Sequence, residues 1–358
     1  MLMKKCRKMI LVVLMAAAMI SLAVTPCMAK TWKITIASGH PPIFAFISTI
    51  HDYFIPYVNE KLAPLGHKIE WKEAYGGTVV KIGGELEALK AGVVEMANFG
   101  TVFEAAKMPL HSVTYFVPFG TDDMDIVIEV MNELQNSIPE VGDEWTRHNM
   151  VYLGGSALDT YQIFADYPVR SVDDLSGHKF AAPGPAANWF KGTGGVPVNS
   201  NLGEYYNSIQ LGVFDGGTVF ATGAMGIKLF EVAPYVAMVN IGAQFGGGMA
   251  INKKLFDSMP AEVQKVLLEG GKYYGQKFGE VQAAKVKRAM GAMKNAGATL
   301  IPFSDDERAK FAHKLPNIPM EWATSMEAKE LPGKKVVKAY LDGLRKHGVK
   351  LVRDWDRE

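Results

Sequence analysis

Cysteine is nearly missing: Cys6 and Cys27 are the whole supply, and both precede residue 30. Beyond that point thiolate metal sites, cysteine nucleophiles and disulfide staples are excluded. Charge of one sign is also scarce. Lys and Arg number 38 against 37 Asp and Glu, a formal net charge of +1. That gives neither a basic field for nucleic acid nor an acidic tail. Enzyme motifs are absent too: there is no Gly-x-Ser-x-Gly elbow, no phosphate loop and no His-Glu-x-x-His. Gly192-Thr193-Gly194-Gly195 lacks the third glycine of a dinucleotide fingerprint, and Pro197 obstructs a following helix. The histidines show no ligand-like spacing, so neither metal nor cofactor is expected.

What is present begins with an address. Lys4, Lys5, Arg7 and Lys8 precede an apolar run from Met9 to Val24, short for a membrane span, and Cys27-Met28-Ala29 offers small residues for a cut. This layout predicts a cleaved secretory signal peptide over residues 1–29 and a periplasmic location. Without those four basic residues the chain carries 34 basic and 37 acidic side chains, net −3. No later apolar run approaches 18 residues, so the mature protein is expected to be soluble.

Strand and helix patterns then alternate. Trp32–Ala37 and Lys68–Ala74 read as strands by their period of two, and Met96–Phe99 as a short buried strand. Tyr152–Gly154, Tyr161–Ala165, Lys179–Ala182 and Val196–Val198 follow. A helix is expected from Ile43 to about Leu62, disturbed near Pro56. The longest helical pattern runs from Pro260 to about Asn295, with proline at its start and Gly297 beyond its end. Alternation of this kind predicts an α/β fold with mainly parallel sheets.

The middle of the chain carries a series of motifs in order. Pro168-Val169-Arg170-Ser171-Val172-Asp173-Asp174-Leu175-Ser176-Gly177-His178-Lys179-Phe180 is followed by Gly194-Gly195-Val196-Pro197-Val198, then by Glu204-Tyr205-Tyr206-Asn207-Ser208-Ile209-Gln210-Leu211-Gly212-Val213-Phe214-Asp215-Gly216. Gly76-Gly77 with Glu85–Gly92, Val117-Pro118-Phe119, Glu231–Tyr235 and Ile251-Asn252 flank them. This series resembles the solute-binding proteins of tripartite ATP-independent periplasmic (TRAP) transporters, of the dicarboxylate-binding (DctP) type. The resemblance implies a two-lobed periplasmic binding protein fold with a ligand cleft between the lobes and a long helix spanning both. It places lobe 1 at 30–155 plus about 245–285, and lobe 2 at about 156–244 plus 286–358. It also implies hinge closure on a small organic acid, delivery to a large and a small membrane permease subunit, no enzymatic activity and a monomer.

One departure bears on the ligand. The resemblance implies an arginine in a Lys-x-Arg-x-Pro strand, where a guanidinium grips a carboxylate through two parallel bonds. Here Lys179-Phe180-Ala181-Ala182-Pro183 puts Ala181 at that place, and Tyr161 stands where some relatives carry a second arginine. No arginine lies between 30 and 146, and the late ones, Arg288, Arg308, Arg345, Arg353 and Arg357, are expected on solvated helices. An acid would then be held by Lys81, by backbone amides or by Tyr and Asn side chains. Tyr75, Tyr161, Trp189, Phe220 and Phe245, with Phe44 and Phe103, could pack an apolar body or cage a quaternary ammonium. Asp159 or Glu73 could pair an amine, and His40 and Asn98 complete the candidate set. A neutral or cationic ligand, a sensor role and a secreted enzyme on the same scaffold stay open as alternatives.

Overall fold

The computed structural model describes residues 30–358; the expected leader lies outside them. Eleven strands form two mixed sheets among the described residues. The first contains β1 (Thr31–Ala37), β2 (Lys68–Ala74), β3 (Met96–Phe99), β4 (Met150–Leu158) and β10 (Gln244–Asn252), in the order β2-β1-β3-β10-β4. The second contains β5 (Tyr161–Ala165), β6 (Lys179–Ala182), β7 (Val196–Asn199), β8 (Gly216–Phe220), β9 (Tyr235–Met238) and β11 (Thr299–Pro302), in the order β11-β9-β5-β8-β6-β7.

The sheets are less parallel than the alternation predicts. β1 runs parallel to β2 and β3, and β6 parallel to β7 and β8. β10 is antiparallel to both β3 and β4, and β5 is antiparallel to both β8 and β9. The reason is topological. The chain leaves the first sheet through β4 into β5 and returns through β9 into β10, so the returning strands run backwards. β4 and β10 have nine residues each and are buried along most of their length. Their glycines and lack of polar alternation hide that length from a period-two reading.

The stretch after Ile43 breaks as expected near Pro56. Helix Ala45–Thr49 passes into a π turn, Ile50–Phe54, before helix Ile55–Leu62. Proline lacks an N–H and crowds the carbonyl four residues back, which a wider turn relieves.

The long helix is Ala261–Asn295, 35 residues and about 52 Å at 1.5 Å per residue. Its glycines serve close packing. A Cβ on Gly271 would stand 2.1 Å from the Leu153 carbonyl oxygen, and one on Gly154 2.2 Å from that of Gly271. Helix and β4 backbones therefore touch directly. Further along, Gln282 reaches Asp159 and Thr222, beside the second sheet. Helices Ile318–Glu327 and Gly333–Lys346 lie against Val113–Phe116 and Met124–Ser137. There Phe116 stacks on Trp322 at 5.4 Å and the Trp355 indole donates to the Pro118 carbonyl at 3.2 Å. β11 instead extends the second sheet beside β9.

Candidate functional site

A narrow cavity lies between the two sheets. Its walls come from the ends of β1 and β3, from β8 and β10, from the β4–β5 crossing and from helix Leu202–Gln210. It measures about 40 Å³, room for a small number of waters. A benzene-sized body needs a cavity of about 150 Å³. A solute therefore enters only if the walls part.

The lining is aromatic and carries no Lys, Arg, Asp or Glu. Tyr115 stacks on Trp189 with rings 5.7 Å apart and 3° from parallel, and the Trp189 indole donates to the Tyr115 carbonyl at 2.8 Å. Tyr161 meets Trp189 and Phe220 edge-on at 5.2 and 5.4 Å, and its hydroxyl lies 3.0 Å from that of Tyr115. Burial pushes the phenols of Tyr115, Tyr161 and Tyr205 well above their usual range, so all three stay protonated. Tyr205 lies over the β8 backbone. A Cβ on Gly217 would be 3.0 Å from its ring and 3.3 Å from the Ala181 Cβ. The space beside Ala181 is thus filled by a tyrosine ring.

Two lining groups are buried without a hydrogen-bond partner: His40 Nδ1, on the first-sheet side, and the Thr218 hydroxyl, on the second. The His40 backbone is held by the Ser38 hydroxyl at 3.2 Å and by Gly76 N–H at 2.9 Å. Its ring sits among Phe44, Phe46 and Phe103 at 5.3–5.9 Å. Burial alone lowers its pKa to about 4, so the imidazole is neutral. Among the described residues, no group of three or more His, Cys, Asp or Glu is placed to hold a metal ion.

Residues 56–325, more than half of the chain, match the DctP family, described as bacterial extracellular solute-binding protein, family 7. The chain belongs to this family. It is a TRAP-type solute-binding protein. A solute-binding protein of Sulfitobacter sp. (strain NAS-14.1) is 25% identical over 277 residues, covering 72% of this chain and 81% of its own. The ectoine-binding periplasmic protein TeaA of Halomonas elongata is 24% identical over 190 residues, 51% of this chain and 54% of its own. A TRAP solute-binding protein of Rhodoferax ferrireducens, solved with copurified benzoate, superposes with a TM-score of 0.78. It covers 88% of this chain and 98% of its own at 16% identity, which shows the shared two-lobed α/β fold.

In this solute-binding protein the structure brings His40, Tyr161 and Phe220 together on the cavity wall, with Phe103 beside them. The other candidates lie elsewhere. Trp189 is fully buried behind Tyr115, and Phe245 is buried against His111. Asn98 donates to the Tyr274 hydroxyl at 3.1 Å, between β3 and the long helix. Lys81 is exposed. Tyr75 is half-buried, its hydroxyl without a partner. Glu73 faces His51 at 2.9 Å. Asp159 accepts from the Thr222 hydroxyl at 2.6 Å, the Gln282 amide at 2.8 Å and Thr222 N–H at 3.3 Å. It ties the β4–β5 crossing to the long helix and to helix Ala221–Gly226.

Phe46, Tyr115, Tyr205 and Thr218 line the cavity without having been singled out from sequence. Three of them stand in or beside quoted motifs: Tyr205 within 204–216, Thr218 two residues past it, and Tyr115 two before Val117. Several late arginines are not solvated as expected. Arg308 donates to the carbonyls of Val239 and Asn240 at 3.1 and 3.0 Å, bracing the return crossing. Arg353 donates to the Ala312 and Leu315 carbonyls and stacks on Trp355 at 4.1 Å.

Proposed function

We propose that this protein is the extracytoplasmic solute-binding subunit of a TRAP-type secondary transporter. It captures a small organic acid by hinge closure and delivers it to a membrane permease made of a large and a small subunit. The observation that carries this reading is a cavity walled by both sheets, with an aromatic lining and without a charged side chain. A ligand touching both walls makes part of its contacts only when they are together, so binding favours the closed state by that difference. The leader over 1–29 takes the chain to the periplasm. The hinge comprises the β4–β5 and β9–β10 crossings. They bond to each other through Tyr161 N–H to Gly242 O at 3.2 Å and Ile241 N–H to Tyr161 O at 3.1 Å.

Relatives support an acid as the ligand class. One structural neighbour, from Sulfitobacter, holds β-D-galacturonate, and the Rhodoferax protein holds benzoate. The aromatic walls and the filled space beside Ala181 favour the benzoate kind over sugar acids or dicarboxylates. A neutral solute of similar shape is the second reading, favoured by the uncharged lining.

A thermal-shift screen of refolded, ligand-stripped protein tests the proposal. At a hundred times its dissociation constant a ligand stabilises by about 2.7 kcal/mol. The panel holds aromatic and aliphatic acids, neutral amides, amines and quaternary ammonium compounds. Stabilisation by an acid is expected; silence across all classes would sink the reading.

A further inference from the structure

The ligand must bring no unmatched charge. A carboxylate moved from water into a place without a countercharge or bond donors is strongly disfavoured. Among the lining residues only His40 can become a cation. Resting on the solute-binding reading above, we propose that the ligand is a monocarboxylate with an apolar or aromatic body, received by His40 together with one proton from solvent and by the Thr218 hydroxyl. One protonatable group matches one negative charge. A second carboxylate would find no partner, which separates this site from one built for dicarboxylates.

The geometry prepares both donors. His40 Nδ1 is buried and unpartnered on one wall, and the Thr218 hydroxyl is buried and unpartnered on the other. A carboxylate reaching both would bridge the sheets, so the same contact that recognises the acid also holds the cleft shut. Nothing competes for the imidazole. The rings packed on it, Phe44, Phe46 and Phe103, carry no charge. Glu85, behind the adjoining loop, spends both oxygens on the N–H groups of Gly39 and Gly83 at 2.8 Å. Glu104, on the Phe103 turn, turns one oxygen to Lys107 at 3.1 Å; its other oxygen is buried without a partner and makes no bond to the imidazole. Tyr75, on the Gly76 loop, and the phenols of Tyr115, Tyr161 and Tyr205 stay protonated. With no ligand the ring is neutral because burial disfavours its charge. An anion beside it reverses that preference, and the proton leaves when the ligand leaves.

Calorimetry decides the matter. Benzoate, phenylacetate, hexanoate, succinate and benzamide are titrated into the mature protein at pH 7, in buffers of different ionisation enthalpy. A monocarboxylate should bind with about one proton taken up, and its affinity should fall about tenfold per pH unit between pH 5 and 7. Succinate and benzamide should bind at least tenfold more weakly. His40→Gln should abolish the proton uptake and lower affinity at least tenfold. Thr218→Val should lower affinity and keep the uptake, and it serves if His40→Gln fails to fold. Acid binding without proton uptake would overturn the inference, as would benzamide or succinate binding as tightly. Uptake persisting in His40→Gln would place the proton on the ligand and overturn the role of His40. Each of those results leaves the transport reading standing, whereas no binding across this panel and the wider thermal-shift panel overturns both.

Discussion

His40 and His111 are both buried histidines, and their surroundings differ in one respect. His111, packed against Phe245 of the first sheet, is fully bonded. Its Nδ1 lies 2.8 Å from Glu144, and its Nε2 accepts from the Trp145 indole at 2.8 Å. Glu144 also accepts from the N–H groups of Leu110 and His111 at 3.0 and 3.2 Å. The Trp145 indole N–H is shared between Nε2 and the Gln135 side-chain oxygen, each at 2.8 Å. His40 has no such partner, although it is nearly as buried. A closed network of buried polar groups fixes one packing; an open one beside a cavity is a cost that a ligand can remove. The pair thus separates buried polarity that holds the fold from buried polarity that we assign to binding.

The largest effect should come from breaking the closed network. Glu144→Ala leaves three buried donors unpaired and should cost roughly 3–5 kcal/mol, read by urea denaturation. It should leave the ligand affinity of the folded fraction unchanged. A loss under 1 kcal/mol would show that the network is not what it looks to be.

Asp159 is an intermediate case. It is bonded by three donors, yet burial outweighs them and holds its carboxyl above the ordinary value of 3.8. The folded protein therefore binds this proton more tightly than the unfolded chain. Its contribution to stability is full below pH 3.8 and is lost as pH rises through the raised folded value. Asp159→Ala should cost about 1–3 kcal/mol by loosening the crossing from Gln282 and Thr222. Asp159→Asn should flatten the stability profile above pH 4, so its deficit against wild type shrinks as pH rises. A deficit that grew with pH would contradict the burial argument.

Ala181→Arg probes β6, the strand beside the cavity wall, where Ala181 pairs with Gly217 of β8. The Tyr205 ring already occupies the adjoining space, so the longer side chain should cost about 1–3 kcal/mol by overpacking. It should not create tight succinate or malate binding. Strong calorimetric heats with either acid would show that the site lacks only its guanidinium.

The fold was legible where period and punctuation agree. β1, β2 and the long helix follow their patterns because each has one buried side and clear ends. β4 reads only as the fragment Tyr152–Gly154, since a strand buried on both faces and rich in glycine loses its alternation. β8, β9 and β11 escape a period-two reading altogether; they are five, four and four residues long. The site was less legible, for a physical reason. Phe220 and Phe245 are both buried aromatic residues on sheet strands, and only the facing of the two sheets puts one on the cavity and the other against His111. Asp159 had the chemistry of an amine's partner, but the long helix, distant in sequence, supplies the amide that engages it. Thr218 carried no signal of its own, because an unpartnered hydroxyl is a property of its neighbours.

The smallest stability change makes the sharpest contrast. Thr218→Val replaces a buried hydroxyl, which has no partner, with a methyl group of similar size. In a closed network such a change would strand the other partner and cost stability. Here no partner exists in the protein, so the unligated variant should match wild type or gain up to about 1 kcal/mol. Ligand affinity should move the other way and fall about tenfold, the worth of one hydrogen bond in a dry site. Thermal unfolding with and without benzoate reads both quantities in one experiment. If stability falls and affinity holds, the hydroxyl belongs with His111 and Glu144, as part of what holds the fold.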